Sequence, residues 1–161
     1  MPPERPRLLD RLELKVPPPV VTLAVGMLMW LVAGRLPALD FALPLRTALA
    51  SAFVLAGLAL TGACAWQFRR AGTTVNPMKP TKASALVDTG FYRLSRNPIY
   101  LGDALILVGW GLGLANLASL AAIALFVAYL NRFQIGPEER ALRTAFGAEY
   151  EAYRARVRRW I

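Results

Sequence analysis

Arg93, Arg96, Asn97, Pro98 and Tyr100 fall where a polar stretch gives way to an apolar one, and Asp103 follows inside the apolar run. Asn97 is a residue type that precedes helices, and Pro98 suits a first helical position. The spacing therefore predicts a helix from Pro98, with unpaired N–H groups and a positive dipole end facing the polar side. That is an anion site, and Arg96 adds a fixed charge beside it. On a helix, Arg96, Tyr100, Asp103 and Leu107 share one face at i, i+4, i+7 and i+11. An acid within an apolar helix is costly to bury, so Asp103 is a functional candidate. The bland alternative is an Asp103–arginine pair serving structure alone.

A second charged group follows about thirty residues on: Asn131-Arg132-Phe133-Gln134, then Glu138-Glu139-Arg140. Pro137 suits the first turn of a new helix, and Glu138 and Glu139 suit its positive end. Dipole matching on a surface helix would account for the two acids without any ligand. Taken together, the two groups offer arginines and a helix end on one side, and carboxylates, an amide and an arginine on the other. That set suits a zwitterionic or cationic ligand with an anionic end.

The rest of the composition removes several chemistries. The 161 residues contain no histidine, which excludes a histidine base, a Ser-His triad and a His-ligated metal. No metal site is expected. The one cysteine, Cys64, lies in an apolar run and reads as a small core hydrophobe. A net charge of +9 could suggest nucleic acid. However, the basic residues flank apolar runs, as in a protein facing anionic headgroups. Gly109-Trp110-Gly111-Leu112-Gly113 superficially resembles a nucleotide loop, but it lies within an apolar run with no strand before it. Gly102, Gly109 and Gly113 share one helix face, which predicts a packing groove.

The elements needed to hold these groups are helical and apolar. The chain is 56% hydrophobic and 18% charged, a membrane-class balance. Four spans are expected, about residues 18–34, 45–68, 98–114 and 117–133, the last two joined as a tight hairpin at Ala115-Asn116. In the second span, Ala52, Ala56, Gly57, Ala59 and Ala63 permit close helix contact. Residues 1–15 form a short interfacial helix or a frayed tail. Residues 71–95 read as a long ordered loop carrying Val75, Met78, Leu86, Val87, Phe91 and Tyr92. After Pro137 a polar helix bends at Gly147, and Tyr150, Tyr153 and Val157 form the apolar face of a basic, amphipathic C-terminal helix on a membrane surface.

Counting Lys and Arg gives the orientation. The N-terminal tail holds 4, the long loop 6 and the segment from Arg132 onward 7, against 2 between the first two spans. The positive-inside rule then places both termini and the long loop in the cytoplasm, in the inner membrane for a bacterial chain. The expected class is an all-α integral membrane protein forming one domain over residues 1–161.

The stretch Gly90-Phe91-Tyr92-Arg93-x-x-Arg96-Asn97-Pro98-Ile99-Tyr100-Leu101-Gly102, with Glu138-Glu139-x-x-Leu142 and Phe146-Gly147-x-x-Tyr150-x-x-Tyr153, resembles the isoprenylcysteine carboxyl methyltransferase family. This family is an integral-membrane relative of the phospholipid methyltransferases. The resemblance covers roughly Gly72 to the C-terminus. It implies S-adenosylmethionine as cofactor, S-adenosylhomocysteine as product, and an apolar acceptor arriving from the bilayer. It also implies cofactor contacts from Tyr92, Arg96, Asn97, Pro98, Tyr100, Leu101, Gly102, Gln134, Glu138 and Glu139. Two positions depart from the family: Asn97 stands where histidine is common, and Gln134 where an arginine is common, with Arg132 nearby as a substitute.

The expected reaction is methyl transfer, which needs positioning and exclusion of water more than a strong base. Arg96, Tyr100, Asp103 and Arg132 are the candidates at the reacting groups. The acceptor is the carboxylate or thiol of a prenylcysteine-like molecule, or alternatively a phospholipid amine. An NADPH-dependent sterol-reductase-like enzyme and a non-enzymatic lipid-binding protein are the rival readings. The partners expected are the bilayer and a lipophilic or prenylated substrate, with neither nucleic acid nor an obligate protein partner.

Overall fold

The computed structural model describes residues 12–70, 72 and 85–161. Among these it is helical, with one isolated bridge between Asp40 and Asn116. Helix α1 spans Pro18–Arg35, α2 Arg46–Arg70 and α3 Pro98–Leu114. Short helices α4 (Leu117–Ala121) and α5 (Ile123–Tyr129) follow, then a π-helical segment Leu130–Ile135 and α6, Gly136–Arg156. α1, α2 and the segment beginning at Leu117 are long and apolar enough to cross a membrane. The apolar part of that last segment ends near Ile135, where the charged sequence of α6 begins. α3, with 17 residues, is slightly shorter.

The helix packing explains the glycine pattern. α2 and α3 share the largest interface in the molecule. A Cβ on Gly102 would stand 2.3 Å from Thr61 Oγ1 and 2.8 Å from Gly57 O, and one on Gly109 would stand 2.7 Å from Ala50 O. Gly57 answers from α2: its Cβ would come within 2.5 Å of Gly102 O. The expected groove on α3 is therefore real, and α2 fills it. On α2 the contact is narrower than expected. Gly57 is buried, whereas Ala52, Ala56 and Ala59 face outward with Leu55 and Leu58. Outward leucines on α1 and α2 are what a lipid-facing surface requires.

α3 packs its opposite face on α1 and on the α4–α5 segment. Tyr100 and Leu107 join Val21, Val25, Met29, Phe126, Leu130 and Ile135 in one core. The hairpin turn forms where expected. Ala115 adopts a left-handed backbone (φ 50), and Asn116 caps α4 by accepting from Ser119 N at 3.1 Å. Asn116 Nδ2 also donates to Leu36 O (2.9 Å) and Asp40 Oδ1 (2.7 Å), tying the hairpin to the loop between α1 and α2.

Pro137 lies in the first turn of α6, as expected, and the chain passes from α5 into α6 through the π-helical segment without a break. The apolar face of the C-terminal helix, expected to meet a membrane surface, is covered within the chain. Gly147 leaves helical geometry (φ 48, ψ −120), as its sequence context suggested, and α6 then folds back. Tyr150, Tyr153 and Val157 bury against Leu86, Leu142 and Phe146, and Val157 is already extended. Residues 13–16 form turns and a bend, and the rest of the expected N-terminal helix or tail lies outside the described residues apart from Leu12. Residues 1–11, 71 and 73–84, with Val75 and Met78 of the long loop, lie outside the described residues.

Candidate active site

Arg96 is the hub of the loop-to-helix junction, and the chain's C-terminal tail meets it. Its backbone N–H donates to Arg158 O (2.9 Å), and its Nη1 donates to Val157 O (2.6 Å). Its Nη2 donates to Glu139 Oε1 at 2.7 Å. Arg159 grips the same carboxylate from the other side, Nη2 to Oε2 at 2.6 Å and Nε to Oε1 at 3.0 Å. Glu139 is thus held between two guanidiniums. Burial alone would raise its pKa, but the hydrogen bonds from Arg159 and Arg96 outweigh it and hold the carboxyl below the usual range.

Asn97 occupies the position before α3 but does not cap it with its side chain. Its Nδ2 donates to Arg159 O instead, at 2.9 Å. Ser95, fully buried, accepts from Asn97 N at 3.1 Å and donates to Arg159 O at 3.3 Å. Asn97 therefore fastens the C-terminal tail to the start of α3, and the expectation of a side-chain cap is corrected. Trp160 Nε1 completes the anchorage by donating to Asn131 Oδ1 at 3.1 Å.

One turn deeper lies the second carboxylate. Glu138 Oε1 accepts from Tyr100 OH and from Gln134 Nε2, each at 2.5 Å. Glu138 and Gln134 are four residues apart across the π-helical segment, and Tyr100 reaches them from α3. Burial pushes the Glu138 carboxyl up to about 7, although both hydrogen bonds act in the opposite direction. The adjacent acids thus stand in opposite states of readiness. Glu139 is a fixed anion, and Glu138 exchanges a proton near neutrality.

Arg96, Asn97, Tyr100, Gln134, Glu138 and Glu139 come together as the sequence suggested. Pro98 is buried at the start of α3. Tyr92 stands beside this group in a 3₁₀ turn, Gly90–Arg93. Its ring meets Phe68 edge-on at 5.3 Å, and its carbonyl accepts from Tyr153 OH at 2.8 Å. At Gly102 a side chain would meet α2, so the glycine serves that contact. Leu101 is half-buried on α3. Asp103 is buried beside Thr22 of α1, its hydrogen-bonding neighbour, rather than against an arginine. Arg132 pairs with Glu13 and lies over the Phe133 ring. Gln134 itself reaches Glu138, at the position where the family arginine was missing.

Sequence reading gave no individual role to Ser95, Asn131 or Arg159. The first two are small polar residues at the edges of apolar runs, with no spacing to mark them. Arg159 was one of several C-terminal arginines assigned to a charged surface. The signal available was its place beyond the last helical residue, next to an apolar Trp160.

Residues 45–149 match the phospholipid methyltransferase family. The chain belongs to that family. It is therefore a membrane methyltransferase, of a family whose methyl donor is S-adenosylmethionine. An uncharacterized protein of Haemophilus influenzae is 41% identical over 63 residues, which make up 39% of this chain and all of that protein. No solved structure matches.

The side chains present fit this donor. S-adenosylmethionine carries a carboxylate, an ammonium, a sulfonium and a ribose diol. The junction offers guanidiniums, carboxylates, amides and a phenol in one small volume. Arg96 Nε is moreover a buried donor with no hydrogen-bond partner among the described residues. A buried donor left unpaired is costly, and an anionic ligand group would satisfy it.

Proposed function

We propose that the chain transfers a methyl group to a lipophilic acceptor at the cytoplasmic face of the membrane, using the α3–α6 junction as its active site. The observation that supports this most is the paired arrangement of Glu138 and Glu139 against Tyr100 and Arg96. Arg96 and Asn97 would hold the donor's carboxylate end. Gln134, Glu138 and Glu139 would hold its ammonium or ribose hydroxyls, with Tyr92, Pro98 and Leu101 as the apolar surround. When bound, S-adenosylmethionine supplies an electrophilic methyl on a sulfonium. The protein's part is to bring an acceptor in line, exclude water and manage one proton.

The acceptor we favour is the carboxylate or thiol of a prenylcysteine-like molecule. Either attacks as an anion, and Arg96 or Arg132 would orient it. A phospholipid amine is the second reading, favoured by one observation: Glu138, hydrogen-bonded by Tyr100 and Gln134, is poised near neutrality. An ammonium acceptor must lose a proton before attack, and Glu138 would take it. Asp103, deeper in α3, is the alternative proton acceptor. We also read the membrane orientation as four crossings with both termini cytoplasmic, supported by 17 of the 19 basic residues falling on one side.

Calorimetry in detergent tests the site. Arg96→Ala and Glu138→Ala are expected to lose S-adenosylmethionine binding, and unchanged affinity in both would overturn the assignment. A thermal shift with S-adenosylhomocysteine but not NADPH is expected, and the reverse would favour a reductase. Incubation with labelled S-adenosylmethionine and membrane extract then identifies the acceptor: a labelled ester or thioether supports the first reading, a labelled amine headgroup the second.

A further inference from the structure

A second cluster forms around Arg132, a residue the proposed function also offers for orienting the acceptor. Residues 12–16 run across the π-helical segment, with Leu14 N donating to Phe133 O at 3.0 Å. Glu13 points one carboxylate oxygen at Arg132 and the other at Arg140. One acid thus sits between two guanidiniums. Leu14, the next residue, has a left-handed backbone (φ 54), which a side chain disfavours. Beside the trio is an open cleft of about 590 Å³ lined by Glu13, Asn131, Arg132, Gly136 and Arg140. The cleft lies where the last apolar segment turns polar, at the level of lipid headgroups under the proposed orientation.

Two guanidiniums converging on separate oxygens of one anion is phosphate-binding geometry, and arginine forks suit phosphate at least as well as carboxylate. We propose that Arg132 and Arg140 form a phosphate site, that Glu13 is its internal occupant, and that an incoming phosphate group displaces Glu13 and frees the 12–16 strap. The strap rests on the segment that carries Gln134, the hydrogen-bond partner of Glu138. Occupancy of the phosphate site would therefore change how firmly Glu138 is held; that consequence for turnover rests on the active-site reading above. The phosphate comes either from an anionic lipid headgroup or from solution.

Hydrogen exchange at the Leu14 amide, which is bonded to Phe133 O, reads the strap directly. The full chain is compared in phosphate-free maltoside micelles, in the same micelles with phosphatidylglycerol, with inorganic phosphate, and with chloride at matched ionic strength. Exchange at residues 12–16 is expected to rise at least fivefold with phosphatidylglycerol or with phosphate, the responding arm naming the source. Glu13→Gln is expected to exchange fast in plain micelles and to lose the response. Equal exchange in every arm, or a chloride effect equal to the others, overturns the proposal. The wild-type arms decide the matter even if the variant misfolds. Because no methyl transfer is read, failure here leaves the methyltransferase assignment standing, and failure of that assignment leaves this site intact.

Discussion

Glu138 and Glu139 are neighbours in sequence, yet their titrations have opposite consequences for stability. Glu139 has its carboxyl lowered by Arg159 and Arg96. It stabilises the fold above the ordinary glutamate range, and that contribution is lost as pH falls through its depressed value. Glu138 is raised from 4.5 to about 7. The folded state then holds a proton that the unfolded chain has released, so stability falls as pH rises from about 4.5 to 7 and levels off above that. Thermal melts in detergent between pH 5 and 8 are expected to show this fall in the wild type. Glu138→Gln, which keeps the partners but cannot ionise, is expected to flatten it, a difference of at most roughly 3 kcal/mol at about 1.4 kcal/mol per unit. The reactive side chains were legible as types at a boundary, since charge next to an apolar run is visible in one dimension. Their partners were not. Asn97 has the chemistry of a cap, and only the return of the C-terminal tail shows that its amide serves Arg159 O instead.

At the scale of elements, the contact between α2 and α3 controls where the site's main helix sits. Gly57 and Gly102 bring the two backbones together, and a Cβ at Gly57 would meet Gly102 O at 2.5 Å. Gly57→Ala is expected to push the helices apart and cost about 1–3 kcal/mol, read as a lowered melting temperature in detergent. Gly113→Ala, whose Cβ would meet Ala50 Cβ at an ordinary 3.6 Å, is the control and is expected to melt near the wild type. Asn116→Ala removes two hydrogen bonds that fasten the hairpin to the first loop and the cap of α4, and a loss of about 1–3 kcal/mol is expected by the same measurement. The glycine face of α3 was readable because a helix repeats regularly. The narrow stripe on α2 was not, because small residues occur all around that helix and composition alone does not say which side meets a neighbour.

At the scale of the whole molecule, the chain's end completes its centre. Val157, Arg158 and Arg159 supply carbonyls to Arg96, Ser95 and Asn97, and Arg159 supplies half of the clamp on Glu139. Deleting residues 157–161 is expected to abolish S-adenosylmethionine binding in calorimetry while the apolar helices stay folded by circular dichroism. Retained binding would show that the tail only packs. The π-helical segment has a further consequence, one of angular phase. Each residue of an α-helix advances its successor by about 100°, and the wide turn at Leu130–Ile135 shifts every later residue relative to α5. A π-turn takes about one residue more than an α-turn, so removing one residue there would leave the two glutamates near their present bearing, whereas removing one from α5 would swing both by more than a quarter of a turn, away from Tyr100 and Arg96, with the α2–α3 interface untouched. The chain thus stores the aim of its carboxylates as a length, and a one-residue deletion in α5 would mis-aim both without changing either.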